Sequence, residues 1–258
     1  MDDHRTVFGT VERDYWAEAA GLKPDERALI ERYLASDATT LEAGTGGGRI
    51  LGEMRRLGFT SLAGFDFVPE LVAEARRADP TRDIRFEVQD ARRLEYPDAS
   101  FDQVLYMQQL LSSIEESGDR ARVMREALRI LRPGGIALFS VLPFDVRARS
   151  ARHRPYLLYL RMLRRLRGSE RPPQLLPRLR MRGRPKPTAL RDAGPYVYWY
   201  RAEEIERELR AVGFEVTAIG TTPQVLAGSM PESARLLTPE SLGGTLYDVC
   251  RRPAGERR

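Results

Sequence analysis

The sequence contains little of what builds disulfide-stabilised or metal-centred proteins. Of its 258 residues, one is a cysteine, Cys250, and two are histidines, His4 and His153. A single cysteine excludes an internal disulfide and a cysteine-based zinc site. Two histidines argue equally against a histidine-rich metal site, so we predict a protein without a bound metal.

Long apolar stretches are missing as well. The longest run, IALFSVLPF at 136–144, is far too short to span a bilayer and is typical of a buried strand. The first residues, MDDHR, are acidic and polar, which argues against a secretory signal peptide. We therefore predict a cytoplasmic protein that forms one sizeable domain with an elaboration, or two small domains.

Lysine is scarce, and the arginines that take its place are unevenly spread. Residues 145–191 contain fourteen arginines and Lys186 against Asp145 and Glu170, which gives a net charge of +13. Because the whole chain carries +5, the remainder carries −8. The chain therefore combines a mildly acidic body with a strongly basic insert, and the charge of the insert requires an explanation.

Apolar patterning predicts strands that alternate with helices. Strand patterns fall at 39–44, 62–67, 84–90, 101–107, 136–142, 214–220 and 245–251, and helical patterns at 25–35, 48–59, 69–78, 119–131, 154–168 and 202–214. A turn, RPGG at 132–135, is predicted just before the fifth strand. Such alternation implies parallel pairing, so the predicted fold is α/β with a doubly wound, seven-stranded and mostly parallel sheet.

The stretch LEAGTGGGRI, at 41–50, places a glycine turn between the first strand and the next helix. Such a turn lets backbone N–H groups and the helix N-terminus face a ligand. The dinucleotide fingerprint G-x-G-x-x-G would need glycine where Arg49 stands, which disfavours a nicotinamide-dependent reductase. Glu42, Asp66 and Asp90 end three strands on one sheet edge. Asp66 would lie beside the glycine turn, where a carboxylate can accept both hydroxyls of a ribose, and Asp90 would lie at the far edge of the same crevice. These residues predict a site for an adenosine-type ligand.

Several segments, taken in order, resemble the motifs of class I S-adenosylmethionine-dependent methyltransferases. They are LEAGTGGGRI, GFDFVPELVAEARR, FEVQDARRLEYPDASFDQVLYMQQLL, EALRILRPGGIALFSVLP and YWYRAEEIERELRAVGFEV. The resemblance implies a Rossmann-like methyltransferase with S-adenosylmethionine as cofactor and S-adenosylhomocysteine as product. It divides the chain into an N-terminal helical lid (1–37), a cofactor-binding core (38–143), a basic substrate-cap insert with helical structure (144–198) and the C-terminal part of the core (199–258).

The resemblance also implies roles for the residues of the glycine stretch. Gly44, Thr45, Gly46 and Gly48 would form the loop under the methionine part of the cofactor. Glu42 would hold the loop or the cofactor's amino group.

Further cofactor contacts are implied at the ends of the next three strands. Asp66 would bind the ribose hydroxyls, and Phe67 would lie against the adenine. Asp90 would accept from the adenine amino group, and the Ala91 N–H would donate to a ring nitrogen. Met107 would lie near the sulfonium.

The sequence does not name a catalytic base. Gln108 and Gln109 follow the fourth strand, where substrate-facing residues often lie in this architecture, and their amides could orient an acceptor. His153 would either reach the substrate or lie in solvent. Tyr15 would either fold over the cofactor or pack in the core. In the aromatic run at 196–200, one face of a half-buried strand would line the acceptor pocket.

The basic insert leaves four interpretations open. As a helix, residues 154–168 would place Tyr156 and Leu166 on one side and Arg161 and Arg164 on another. The arginines could lie in water above the active site, attract an anionic substrate, or rest on an anionic membrane. Contact with nucleic acid is disfavoured because no recognisable RNA-binding module accompanies them.

Together these features predict a methyltransferase that acts on an O or N atom of a small, anionic or amphiphilic metabolite. Two alternatives stay open. The first is a non-catalytic protein that binds an adenosyl ligand and docks a partner through the insert. The second is a methyltransferase directed at RNA or a lipid. The sequence does not define an oligomeric state.

Overall fold

A computed structural model describes residues 21–181, 184–238 and 242–255 of the chain. The first half of this structure alternates strands with helices. Its elements are α1 (Pro24–Tyr33), β1 (Thr39–Ala43), α2 (Arg49–Arg56), β2 (Ser61–Asp66), α3 (Pro69–Ala78), β3 (Arg85–Val88), β4 (Phe101–Tyr106), α4 (Ser117–Ile130) and β5 (Leu131–Pro143).

The second half begins with the basic insert and then returns to the sheet. The insert contributes α5 (Phe144–Arg149), α6 (Arg154–Leu166), β6 (Leu175–Pro177), β7 (Arg180–Met181), β8 (Arg184–Pro185) and β9 (Tyr196–Tyr200). The remaining elements are α7 (Ala202–Val212), β10 (Glu215–Thr221), α8 (Thr222–Ala227) and β11 (Leu246–Arg251).

The strand order confirms the predicted doubly wound, mostly parallel sheet, in which seven strands form the main path and two further strands are added at the end of β5. The strands lie in the order β10-β11-β5-β4-β1-β2-β3, and β11 is antiparallel to both of its neighbours. The chain adds β2 and β3 on one side of β1 and then β4 and β5 on the other, so the topological switch point lies between β1 and β4. Sheets of this kind bind ligands at the switch point, outside the carboxyl ends of the strands. Strand β9 adds a short parallel pairing to the end of β5, and β6 pairs with β9.

Helices bury apolar side chains against both faces of the sheet. On one face lie α4 and α7, with Val123, Met124 and Leu209 in one large core cluster. On the other lie α1, α2, α3 and α8, with Ile30 and Met54 in a second cluster. Residues 24–33, which belong to the predicted lid, pack in this second cluster, and residues 1–20, including Tyr15, lie outside the described residues. The division into four parts stays a prediction.

The predicted turn at 132–135 was wrong, because these residues already belong to β5. The N–H of Gly134 donates to the carbonyl oxygen of Arg252 (2.8 Å), and the N–H of Arg252 donates to the carbonyl oxygen of Gly135 (3.0 Å). Pairing with the chain just after β11 therefore draws the segment into the sheet. The register between β4 and β5 shifts at this point.

Helix α6 begins at the predicted residue, but its buried and exposed sides differ from the predicted ones. Arg164, predicted to share one side of the helix with Arg161, is buried and pairs with Asp192 through two hydrogen bonds of 2.8 and 2.7 Å. Leu166, predicted on the apolar face, is 76% exposed. The spacing was misread because the helix packs through Leu160, which clusters with Phe144 and Leu176.

Within the described ranges, no helix is long and apolar enough to cross a membrane. In the same ranges, no three histidine, cysteine, aspartate or glutamate side chains are grouped as metal ligands would be.

Candidate active site

The glycine loop connects β1 to α2 at the carboxyl edge of the sheet. Gly48 caps α2 with a φ of 81°, a left-handed conformation that favours glycine. A Cβ at Gly48 would lie 3.0 Å from Phe86 and 3.2 Å from Ala75. The loop therefore packs against α3 and β3 with little space for a side chain. This packing fixes the N-terminus of α2, whose first N–H groups lack intrahelical partners, at the edge where the cofactor is predicted.

Asp66, the last residue of β2, supports this loop. Its Oδ2 accepts a hydrogen bond from the Gly46 N–H, and its Oδ1 accepts one from the Val68 N–H, both at 3.0 Å. Burial raises the pKa of Asp66 to about 6, and the backbone hydrogen bonds oppose the shift. At pH 7 the carboxylate is therefore mostly ionised, and each oxygen retains a lone pair for a further donor.

Glu42 lies beneath the loop and is completely buried. Its Oε2 accepts from the Thr45 hydroxyl at 2.8 Å, whereas Oε1 has no hydrogen-bond partner among the described residues. Burial raises its pKa to about 8, with Glu26 and Asp66 adding to the shift. With this pKa the carboxyl group is mostly protonated at pH 7 in the absence of a ligand. A ligand that brings a positively charged N–H group would favour the ionised form and would supply the hydrogen bond that this buried oxygen lacks.

The other predicted cofactor residues lie at the same sheet edge in different environments. Met107 is buried directly after β4, and Phe67 is partly buried directly after β2. Ala91 packs against the larger core cluster. Asp90 is exposed, and its carboxylate accepts from the Arg92 Nε at 3.0 Å. The predicted contacts of these four residues with adenine and sulfonium stay predictions.

Arg49, which occupies the third glycine position of the dinucleotide fingerprint, links α1 to the glycine loop. Its guanidinium donates to both carboxylate oxygens of Glu26, at 2.6 and 2.9 Å, and to the carbonyl oxygen of Gly21. Both charged side chains are buried. Arg49 thus has a structural partner, a role that the sequence pattern did not reveal.

A cavity of about 580 Å³, here called the cap cavity, lies between the sheet edge and the insert. It is lined by the loop after β4, the end of β5, helix α5, the start of α6 and strand β9. Three of the predicted substrate residues, Gln108, Gln109 and His153, line it together. The structure therefore brings these three to one place, although they come from distant parts of the chain.

The cap cavity is cationic. Arg147, Arg152 and Arg178 line it, and among the described residues that line it there is no aspartate or glutamate. The Arg147 guanidinium lies 4.4 Å from the ring centroid of Trp199, and its Nε is buried without a hydrogen-bond acceptor among the described residues. Burial lowers the pKa of Arg147, yet a guanidinium keeps its charge at pH 7. Such a cavity offers charged donors to an anion.

The turn after β4 connects the cap cavity to the glycine loop. Gln108 and Gln109 both adopt left-handed conformations, with φ of 56° and 59°, and the Gln109 N–H donates to the Ser140 hydroxyl. The next residue, Leu110, packs on Gly44, where an added Cβ would lie 2.7 Å from the Leu110 Cδ1. The predicted cofactor loop and the cap cavity are therefore separated by one short turn.

The sequence pattern missed Arg147, the side chain of α5 that lines the cavity. It did indicate the aromatic run, which forms β9: Val197 and Trp199 line the cavity, and Tyr198 and Tyr200 pack in the core. The sequence could not single out Arg147 because the insert contains many other arginines.

Comparison with known proteins agrees with this geometry. Residues 41–139 match a family model described as a methyltransferase domain. This segment is a class I methyltransferase domain. The family implies S-adenosylmethionine as cofactor and S-adenosylhomocysteine as product, and the residues present fit that ligand, since the glycine cradle lies beside the unpartnered oxygen of Glu42.

The curated relatives of this methyltransferase domain resemble about half of the chain. The 27-O-demethylrifamycin SV methyltransferase of Amycolatopsis mediterranei is 34% identical over 131 residues, 47% of each chain. A demethylmenaquinone methyltransferase of Deinococcus radiodurans is 35% identical over 111 residues, 42% of this chain and 44% of the relative. The chain therefore spans about half the length of the curated relatives it matches.

Solved structures show that the fold likeness extends beyond the methyltransferase domain. An S-adenosylmethionine-dependent methyltransferase from Methanosarcina mazei matches with a TM-score of 0.64 at 20% identity, covering 87% of this chain and 97% of that one. The CcbJ methyltransferase from Streptomyces caelestis matches with a TM-score of 0.64 at 16% identity, covering 97% and 99%. At such identities these matches show the fold alone.

Proposed function

We propose that the protein transfers a methyl group from S-adenosylmethionine to an O or N atom of a small, anionic or amphiphilic molecule bound in the cap cavity. The observation that carries this proposal is a cavity whose lining, in the part of the chain that the structure describes, has three arginines and no acid, one short turn away from the glycine loop. Two relatives are named for the small-molecule acceptors 27-O-demethylrifamycin SV and demethylmenaquinone, which supports an acceptor of this size class.

The chain's own residues would bind and align the acceptor. The cofactor supplies an already activated methyl group, so the protein mainly has to hold the acceptor in line and exclude water, which can contribute several kcal/mol. Arg147 and Arg178 would bind the anionic group. The Leu142 and Leu179 side chains, which also line the cavity, would hold an apolar part. The amides of Gln108 and Gln109 would orient the acceptor atom.

His153 would be the proton acceptor for a hydroxyl substrate. Its Nδ1 lies 3.0 Å from the Ser150 hydroxyl, and the ring lines the cap cavity. Burial lowers its pKa below the usual 6.5, and the charges of Arg147 and Arg152 add to this shift. The imidazole is therefore neutral at pH 7 and able to take a proton.

The pH profile tests this role. Because a base must be unprotonated, kcat for a hydroxyl acceptor should be constant around pH 7 and fall as the pH drops through the lowered pKa of His153. A His153→Gln variant should have a lower kcat and lack this fall at low pH. An unchanged profile in the variant would assign the base to another group.

Replacing Arg147 by glutamine tests the anionic acceptor. The protein is incubated with isotopically labelled S-adenosylmethionine and a small-molecule extract, and the products are then separated by charge. The label should enter the acidic fraction. The variant should raise the acceptor KM by about 10-fold, since losing a hydrogen bond to a charged group costs ~1.5–3 kcal/mol. Binding of S-adenosylhomocysteine should not change.

Arg149→Gln is the matched control, because Arg149 is exposed on the same helix and does not line the cavity. Transfer of label only into neutral or basic molecules would contradict the anionic acceptor. Binding of S-adenosylhomocysteine without transfer into any fraction would instead favour the non-catalytic alternative.

A further inference from the structure

The side of α6 that faces away from the protein is apolar. Leu158, Met162 and Leu166 follow one another at intervals of four residues, so they lie along one face of the helix. They are 58%, 56% and 76% exposed. We call this set, together with Tyr159 and Leu190, the outer face of α6.

Tyr159 and Leu190 extend this surface. The Tyr159 hydroxyl donates to the backbone carbonyl oxygen of Leu190 at 2.7 Å, which holds the exposed Tyr159 ring beside residue 190, whose side chain is also exposed. Of the large apolar side chains that are exposed in the described part of the chain, the remaining three, Val88, Leu226 and Leu236, lie on three separate elements. Single exposed apolar residues are ordinary, whereas a contiguous patch indicates an interaction site.

Arginines flank the apolar stripe. Arg154, Arg161 and Arg165 are exposed and lie on the neighbouring side of the same helix, since their spacings of seven and four residues correspond to two turns and one turn. Helix α6 contains no acidic residue. The outer face of α6 therefore combines apolar side chains with positive charge, as helices that lie in a membrane interface do.

The apolar residues of the outer face are not needed to hold α6 in place. The helix is anchored from its inner side, where Leu160 is buried with Phe144 and Leu176, and Arg164 pairs with Asp192. Tyr156, on the inner side, lines the cap cavity and donates to the carbonyl oxygen of Ala189. One helix thus separates the cap cavity from the apolar outer surface.

We propose that the outer face of α6 lies on the surface of an anionic lipid bilayer. The leucine and methionine side chains enter the boundary between head groups and acyl chains, and the arginines bind lipid phosphates. A membrane fits this surface better than a folded partner because the stripe is the convex side of one helix edged by long cationic side chains. The cap cavity then lies directly beneath the membrane-bound helix.

Sedimentation with vesicles tests the proposal. The full chain should bind vesicles that contain phosphatidylglycerol, bind vesicles of phosphatidylcholine alone more weakly, and lose affinity as salt is added. The triple variant Leu158→Ser, Met162→Ser, Leu166→Ser and the triple variant Arg154→Gln, Arg161→Gln, Arg165→Gln should each reduce binding by at least ~10-fold.

Control variants remove side chains of the same kinds elsewhere on the surface, and the arginine control removes the same number of charges. Leu226→Ser with Leu236→Ser, and Arg77→Gln with Arg125→Gln and Arg207→Gln, change exposed residues elsewhere and should leave vesicle binding unchanged. Equal losses in the controls, no binding by the natural chain, or a stable dimer that the serine variant dissociates would overturn the proposal. Affinity for S-adenosylhomocysteine, measured without vesicles, should be unchanged in all variants, which separates this test from that of the proposed function.

Discussion

Replacing Asp66 by alanine is expected to weaken binding of S-adenosylhomocysteine by about 10- to 100-fold, because each lost hydrogen bond to a charged acceptor costs ~1.5–3 kcal/mol. The carboxylate holds the Gly46 and Val68 N–H groups and retains lone pairs for the ribose hydroxyls proposed to bind there. Titration calorimetry at pH 7 measures the change directly.

Two comparisons sharpen this prediction. Asp98→Ala removes a carboxylate whose side chain is 76% exposed, and it should leave the Kd unchanged. For the natural protein, affinity should fall as the pH drops below about 6, because the pKa of Asp66 is raised to about 6 by burial and protonation removes an acceptor. A Kd of the Asp66→Ala variant within twofold of the natural value would contradict the assigned role.

Replacing Asp248 by asparagine is expected to stabilise the protein by up to about 4 kcal/mol at pH 7. Asp248 is completely buried in β11, and neither carboxylate oxygen has a hydrogen-bond partner among the described residues. Burial, and then the nearby Glu206, raise its pKa well above the usual value. At pH 7 the folded state therefore favours the protonated form of Asp248, whereas the unfolded chain releases the proton. This difference in proton binding lowers the free energy of unfolding.

The sign of the pH dependence follows from this shift. Below the unfolded pKa of about 4, Asp248 is protonated in both the folded and the unfolded state, and the loss of stability disappears. This loss grows as the pH rises towards the pKa of Asp248 in the folded state. Thermal melts should thus show a gain in Tm on the order of 10 °C at pH 7 and almost none near pH 4. An equal gain at both pH values, or a loss at pH 7, would contradict the account of Asp248.

The sheet was predictable from the sequence because its strands are buried on both faces and its turns carry glycine. Glu42 and Asp66 could be placed at the sheet edge for the same reason, since a strand's end fixes where its last side chain lies. Asp90 lies beyond the end of β3, and its pairing with Arg92 depends on a local turn that no periodicity reveals.

The cap cavity could not be predicted as a whole. Arg147 and Trp199 are far apart in the chain, and they meet only because β9 pairs with the end of β5. Similarly, Arg164 is buried because Asp192 folds back onto α6. An insert rich in arginine offers many equivalent candidates, and tertiary contacts alone select the ones that line the cavity.

A thermal-shift measurement with S-adenosylhomocysteine, S-adenosylmethionine and NAD(P) tests the central claim most directly, namely that the glycine loop, Glu42 and Asp66 bind an adenosyl sulfonium cofactor. A ligand at about 100 times its Kd adds ~2.7 kcal/mol of stability, which corresponds to a rise in Tm of several degrees for a chain of this size. Both adenosyl ligands should produce this rise and NAD(P) should not. A rise with NAD(P) alone, or with none of the ligands, would contradict the account.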